Sequence, residues 1–325
     1  MRALLFFLTL LLLLSSCQTL IPSPETEISP PPRAAWRIEE LAPGAELLEY
    51  QGPETELSGE ATYVTGGGGG LSLGLTIPTG KRPKLPQLPR IQAAALILDR
   101  GEAELVAVAE PPRRVSRRGT SERDGEALAL RPSIFLRDHP EYIAAINATP
   151  FDPNVVSVGK PVDPIGVVLV EGRRLSDYEP RYEALYLPER GAPVIGPQPP
   201  ERDAPTLRGA LGGYFRVLRE GVPEGPRQLR SARSAVGISE DGRQVIILAV
   251  AGDSPGRSVG LTAWEVGLWL ESLGAWQGLV LDGGGSSSLA VREPGESVRM
   301  TITTSWGPTL GVERPVATLL AVRPK

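Results

Sequence analysis

Directly after the apolar run Leu279-Val280-Leu281 stands the segment Asp282-Gly283-Gly284-Gly285-Ser286-Ser287-Ser288. A carboxylate at the end of a strand-like run, followed by three glycines, sets a charge beside backbone that a ligand can approach closely. Glycine puts no side chain in the way and reaches positive φ readily. Successive N–H groups in such a turn can cradle an anion. The same residues would equally suit a glycine-rich bend in which Asp282 caps its own turn. The spacing is not that of a Walker loop, because no Lys follows the glycines. A second carboxylate, Glu265, sits three residues after Thr262. That spacing is a capping box, which by itself explains a Glu there. General acid or base work beside Asp282 is the alternative.

These groups need a frame to hold them. Short apolar runs punctuated by turn residues predict strands at Ala94–Leu98, Glu104–Ala109, Tyr142–Ile146, Gly166–Val170, Ala184–Leu187, Ser234–Ile238, Gln244–Val250, Leu279–Leu281, Ser287–Val291 and Val316–Val322. Asp241-Gly242 between two of these runs is a hairpin signal. A helix is expected from the Thr262 cap to Gly274, with Trp264, Leu268 and either Trp269 or Leu273 as its apolar face. A shorter helix is expected over Pro132–Asp138. Many strands and few helices predict an α+β fold, a mixed β-sheet core within a single large domain.

Composition narrows the chemistry. The chain has 34 Lys and Arg against 38 Asp and Glu, a formal charge of −4, with no basic stripe of the kind nucleic-acid binding requires. One cysteine and one histidine, Cys17 and His139, rule out a disulfide, a thiolate metal site and a cluster of histidine ligands. A hard cation such as Ca²⁺ would need carboxylates and carbonyls, and no loop shows the full spacing, so no cofactor is expected. Nor is there an evident base to activate a Ser nucleophile.

The N-terminus reads as an export signal. Arg2 precedes an apolar run from Ala3 to Leu14, which is short for a membrane span and ends in Leu14-Ser15-Ser16-Cys17. That ending looks like a lipobox, with Cys17 as the lipidated residue. The expected organisation is a lipoprotein signal peptide over 1–16, a Pro/Ser-rich tether over 17–35, and one domain over 36–325. The glycine run Gly66–Gly70 suggests no mechanism. The expected localisation is the cell envelope, lipid-anchored; oligomeric state is not legible.

Several segments, in order, resemble the phosphodiester glycosidases. Leu281-Asp282-Gly283-Gly284-Gly285-Ser286-Ser287 is similar to that family's Leu-Asp-Gly-Gly-Gly-Ser signature. Ser231-Ala232-Arg233-Ser234-Ala235-Val236-Gly237 resembles its Arg-Thr-Ala-Ile-Gly segment, and Gly260-Leu261-Thr262-Ala263-Trp264-Glu265 its Gly-x-Thr-x-x-Glu helix start. Ile146-Asn147 with Phe151-Asp152, then Pro164-Ile165-Gly166 and Ala210-Leu211-Gly212-Gly213, follow the same order. Two segments depart: Ala148-Thr149 stands where the family has Gly-Gly, and Ala251-Gly252-Asp253 where it has Asp-Gly-Arg.

The resemblance implies hydrolysis of a sugar-1-phosphodiester at the sugar C1–oxygen bond. The transition state is oxocarbenium-like, which a carboxylate stabilises. On this footing Asp282 and Glu265 are the candidate catalytic residues. Arg233 is the candidate phosphate clamp, since a guanidinium matches phosphate oxygens bidentately. Asn147, Asp152, Asp253, Gly283, Gly284, Gly285, Ser286 and Ser287 are the candidate substrate-binding residues. The implied partners are a glycan or sugar phosphate and, through the lipid, a membrane. A glycan-binding protein that has lost the activity is the alternative.

Overall fold

The computed structural model describes residues 27–52, 91–112, 126–153, 155–198, 206–252, 258–295, 297–304 and 312–325. The signal segment, Cys17, the Gly66–Gly70 run and Asp253 lie outside them. Among the described residues no helix is long and apolar enough to cross a membrane.

Strands dominate. The largest sheet has eight, in the order Arg37–Ala42, Ala45–Gly52, Ile91–Asp99, Gln244–Val250, Arg233–Ile238, Gln277–Val280, Arg216–Arg219 and Val222–Pro223. Its central strands read as unbroken apolar runs, and the packing explains why. Leu96, Leu98, Val236, Val245 and Ile247 face one core cluster, while Ala95, Ile97, Ala235, Ile246 and Leu248 face another. Successive side chains alternate between faces, so a strand covered on both sides has no polar positions. Asp241 and Gly242 form the turn joining two of these strands. Gly242 has φ +67°, and the Asp241 carboxylate accepts the Arg243 N–H at 2.9 Å.

Two five-stranded sheets pack against this one. The first runs Arg173–Ser176, Val168–Val170, Leu207–Gly212, Glu183–Pro188, Val194–Pro197; the second runs Val298–Thr303, Ser288–Arg292, Ala144–Asn147, Leu319–Pro324, Ala103–Val108. A three-stranded sheet holds Ala127–Leu128, Pro161–Pro164 and Phe151–Asp152. The pairings among the described strands are antiparallel, which corrects the expectation of a mixed sheet. Antiparallel neighbours need only short turns between them, whereas parallel ones need long crossovers. The expected strands all form, with ends shifted by a few residues.

Helix α1 is Pro132–Asp138 and helix α2 is Ala263–Ser272. Helix α1 has Pro at its start and no side-chain cap of its own. Glu313, remote in sequence, accepts the Ser133 N–H at 2.9 Å and also takes the Ser133 hydroxyl. Helix α2 meets the expected face only in part: Trp269 and Leu273 are buried as expected, together with Ala263, Val266, Gly267 and Leu270, while Trp264 and Leu268 are only partly so. Ala263, Val266, Gly267 and Leu270 follow the i, i+3, i+4, i+7 stripe, and Trp269 and Leu273 widen it on one side. Gly267 permits the close approach, because a Cβ there would lie 2.1 Å from the Val217 carbonyl oxygen.

The packed chain begins earlier than Trp36. Ile28 is 4 % exposed, its N–H reaches Glu265 Oε1 at 2.7 Å, and its carbonyl accepts the Trp269 indole N–H at 3.2 Å. Trp36 packs tilted against Tyr50 and edge-on against Trp269, at centroid distances of 5.6 and 5.9 Å. A chain starting at Trp36 is therefore expected to be less stable than one starting at Glu27 by about 2–4 kcal/mol. Burying Ile28 is worth about 2 kcal/mol, and its bond to a charged acceptor adds about 1.5. Equilibrium urea unfolding of the two chains measures the difference.

Candidate active site around Asp282

The ends of several strands converge on Asp282. Gln277–Val280 runs into it, and its N–H donates to the Ala148 carbonyl at 2.7 Å, just past the strand Ala144–Asn147. Leu281 N–H donates to Ser234 at 2.9 Å and Gly284 N–H to Ala232 at 2.9 Å, tying the loop to the start of Arg233–Ile238. Tyr214, beyond the strand Leu207–Gly212, donates its N–H to Val280 at 2.9 Å. Gly213 lets this crossing occur, since a Cβ on it would sit 2.6 Å from the Val280 carbonyl. After Asp282 the chain forms a 3-10 turn over Gly284–Ser286, entered with Gly284 at φ +56°.

The Asp282 carboxylate accepts the Gly283 N–H at 3.0 Å and has the Tyr214 hydroxyl at 3.5 Å. Burial pushes its carboxyl up to about 6, against 3.8 for an ordinary Asp. The Ser286 hydroxyl, the Arg314 charge, the Gly283 N–H and the Tyr214 hydroxyl pull the other way. Burial wins because charge is poorly solvated there. Such a group changes protonation near neutral pH, as a general base should. Tyr214 is raised well above its usual value, first by burial and then by Asp282, so it stays a neutral hydroxyl donor.

Arg314 was missed in the sequence. Its Nη1 donates to the Ser286 hydroxyl at 3.1 Å, and its guanidinium lies 5.4 Å from the Phe151 ring centroid. Its Nε is buried with no hydrogen-bond partner among the described residues, as are Ser287 Oγ and Thr149 Oγ1. Arg314 follows Glu313, the carboxylate that caps α1, so the helix cap also fixes the arginine's backbone. No spacing signal links Arg314 to a motif 28 residues upstream in the chain. Tyr214 could have been noticed, since it directly follows Gly212-Gly213.

The other candidates divide. Arg233 opens its strand; its Nε donates to Leu261 at 3.1 Å and its Nη2 to Leu229 at 3.0 Å. A Cβ on Gly283 would lie 4.0 Å from its Nη1, which places the guanidinium beside the glycine loop. Gly283, Gly284 and Gly285 are partly exposed there, whereas Ser286 and Ser287 are buried beneath them. Asn147 is turned into the sheet. It is 0 % exposed; its Nδ2 donates to the Asp282 carbonyl at 2.6 Å, and its Oδ1 accepts the Ser234 hydroxyl at 2.6 Å and the Ser288 N–H at 3.1 Å. Both ends of its amide pin the Asp282 loop to two strands.

Glu265 is buried and fully engaged. It is 2 % exposed, and its carboxylate takes the Thr262 N–H at 2.8 Å, the Ile28 N–H at 2.7 Å, and both Nη2 (2.6 Å) and Nε (3.1 Å) of Arg230. Four donors fill its acceptor capacity. Asp152 is exposed and lines a cavity of about 310 Å³ with Glu126, Asp163, Asp177 and Glu179, where Asp282 is not a lining residue. Asp253 lies outside the described residues. Among these no cluster of His, Cys, Asp and Glu is arranged to hold a metal ion.

Comparison with known proteins adds the following. The family model for phosphodiester glycosidases matches residues 140–323. No curated protein matches the sequence. The fold is similar to the catalytic domain of zebrafish N-acetylglucosamine-1-phosphodiester alpha-N-acetylglucosaminidase, in a structure described as auto-inhibited by its pro-peptide. The identity is 14 %, over 95 % of this chain and 96 % of that one, with a TM-score of 0.57. A putative exported protein from Burkholderia pseudomallei matches at 13 % identity, over 94 % and 99 % of the two chains, with a TM-score of 0.54. At such identities the likeness is one of fold.

Proposed function

The chain belongs to the phosphodiester glycosidase family, and from that premise we propose that it hydrolyses sugar-1-phosphodiesters at the C1–oxygen bond. The observation that carries the reading is Asp282, a carboxylate with its pKa raised to about 6 beside a neutral Tyr214 hydroxyl and the Arg314 charge. Water attacks C1 as the C1–O bond breaks, and the phosphomonoester departs with the bonding electron pair. Asp282 takes the proton from water and offsets positive charge growing on the sugar ring. A phosphate monoester is already a stable anion, so a strong acid on the leaving side is not required. Arg233 and Arg314 supply the positive charge its oxygens need.

The substrates are glycosyl phosphodiesters of envelope or extracellular polysaccharides, met outside the cytoplasm. The apolar run ending in Leu14-Ser15-Ser16-Cys17 supports export and a lipid on Cys17; the B. pseudomallei neighbour is likewise described as a putative exported protein. Radiolabelled palmitate in the chain, lost in Cys17→Ser, tests the anchor.

The reaction is tested with a panel of sugar-1-phosphodiesters in water enriched in ¹⁸O. Label should enter the C1 hydroxyl of the released sugar. Label in the phosphate instead would mean P–O cleavage and would overturn the bond assignment. A second reading, a sugar-phosphate-binding protein without turnover, draws on the loss of Glu265 as a second reactive carboxylate. Binding of a sugar 1-phosphate with no hydrolysis of any panel member would favour it.

A further inference from the structure

Glu265 is a buried carboxylate that the reaction does not use, and a helix cap needs only one of its four hydrogen bonds. The others gather two distant segments, at Ile28 and at Arg230. Arg230 leads straight into the site. Ser231 exchanges backbone hydrogen bonds with Leu261 at 3.2 and 3.0 Å, the Ala232 carbonyl accepts from Gly284, and Arg233 follows. Just before Arg230 stands Leu229, an exposed leucine at φ +60°. A bulky residue persists in the left-handed region only where its surroundings hold it. Two arginines hold this one: Arg230, locked on Glu265, fixes the next residue, and Arg233 Nη2 grips the Leu229 carbonyl at 3.0 Å.

We propose that Glu265 is a positioning residue: through Arg230 it holds the strained turn at Leu229, and that turn aims the Arg233 guanidinium at the substrate phosphate beside the glycine loop. If the pair is broken, Leu229 relaxes to negative φ, its carbonyl leaves Arg233, and the wall behind Ala232 and Gly284 loosens. The phosphate role of Arg233 rests on the glycosidase reading; the mechanical link from Glu265 to the loop does not.

The test uses the full chain carrying Glu265→Gln or Arg230→Gln, the second leaving the capping box untouched should the first fail to fold. Hydrogen–deuterium exchange should rise about tenfold over 229–233 and 282–286, with the sheet strands unchanged. KM for a sugar-1-phosphodiester should rise about tenfold with kcat within twofold. Adding Leu229→Gly should recover most of both losses, because glycine adopts φ +60° without strain. Leu229→Ala should not. Uniformly faster exchange with no glycine rescue would make Glu265 a stability residue only and overturn the proposal. Unaltered exchange over 282–286 would also overturn it. Localised exchange with glycine rescue, in a chain that turns over no sugar phosphodiester, would leave the positioning link standing and the glycosidase reading refuted.

Discussion

Replacing Asp282 with Asn should cut turnover of a sugar-1-phosphodiester by roughly 10²–10⁴-fold, the usual worth of a general base, and at the same time stabilise the fold at neutral pH. Asn keeps an acceptor for the Gly283 N–H and removes the charge. The folded carboxyl titrates near 6 and an ordinary Asp near 3.8. Between those values the folded state binds more protons than the unfolded one, so stability contributed by this group falls as pH rises through that window. At neutral pH the ionised carboxylate costs at most about 3 kcal/mol, and partial solvent contact brings this nearer 2. The variant should therefore gain several degrees in Tm at pH 7.5 and almost nothing at pH 4. Equal gains at both pH values would refute burial as the cause of the raised pKa. In the parent chain, kcat/KM should climb with pH through about 6 as the base ionises.

The second large effect is expected at Arg314. Arg314→Met retains apolar contact with Phe151 and removes the guanidinium. It should lower kcat/KM about 10²-fold, comparable to losing about 3 kcal/mol of charged contact to phosphate. It should also move the pH–rate midpoint upward, since Arg314 is one of the groups holding the Asp282 carboxyl down. Kinetics from pH 4.5 to 8.5 separate the two consequences. A falling kcat/KM with an unmoved midpoint would show that Arg314 meets the substrate without acting on Asp282. An unchanged kcat/KM would remove it from the site.

Some of this could be read from the chain alone. Strand runs such as Gln244–Val250, the Asp241-Gly242 turn and both helix positions were legible because each is written in contiguous residues: alternation, turn chemistry and caps are local. The Asp282 loop was legible too, as a charge at a strand end with glycines after it. The helix face was legible only in part: Trp269 and Leu273 are core as their spacing suggested. Trp264 and Leu268 look equally apolar, but the strand beside α2 comes so close to Gly267 that the buried face centres on Ala263, Val266, Trp269 and Leu270 and leaves those two half-exposed.

What the amino-acid order determined by itself was the family's motif order, the β-rich architecture and the position of the Asp282 loop at a strand end. What only the tertiary structure decided was what each polar side chain meets. Asn147 and Asp282 are both polar residues at strand ends, yet one has its amide engaged in bonds inside the sheet while the other keeps a half-buried carboxylate whose charge is poorly solvated. Glu265 suits a capping box and a catalytic base equally well until Arg230 and Ile28 are seen to fill its remaining lone pairs. Arg314 and Tyr214 join Asp282 from segments whose separation along the chain carries no periodic signal. Charges, hydrogen-bond partners and burial depend on distances in space, and in an antiparallel sheet fold those are set by strand pairing, which residue spacing encodes only between neighbours.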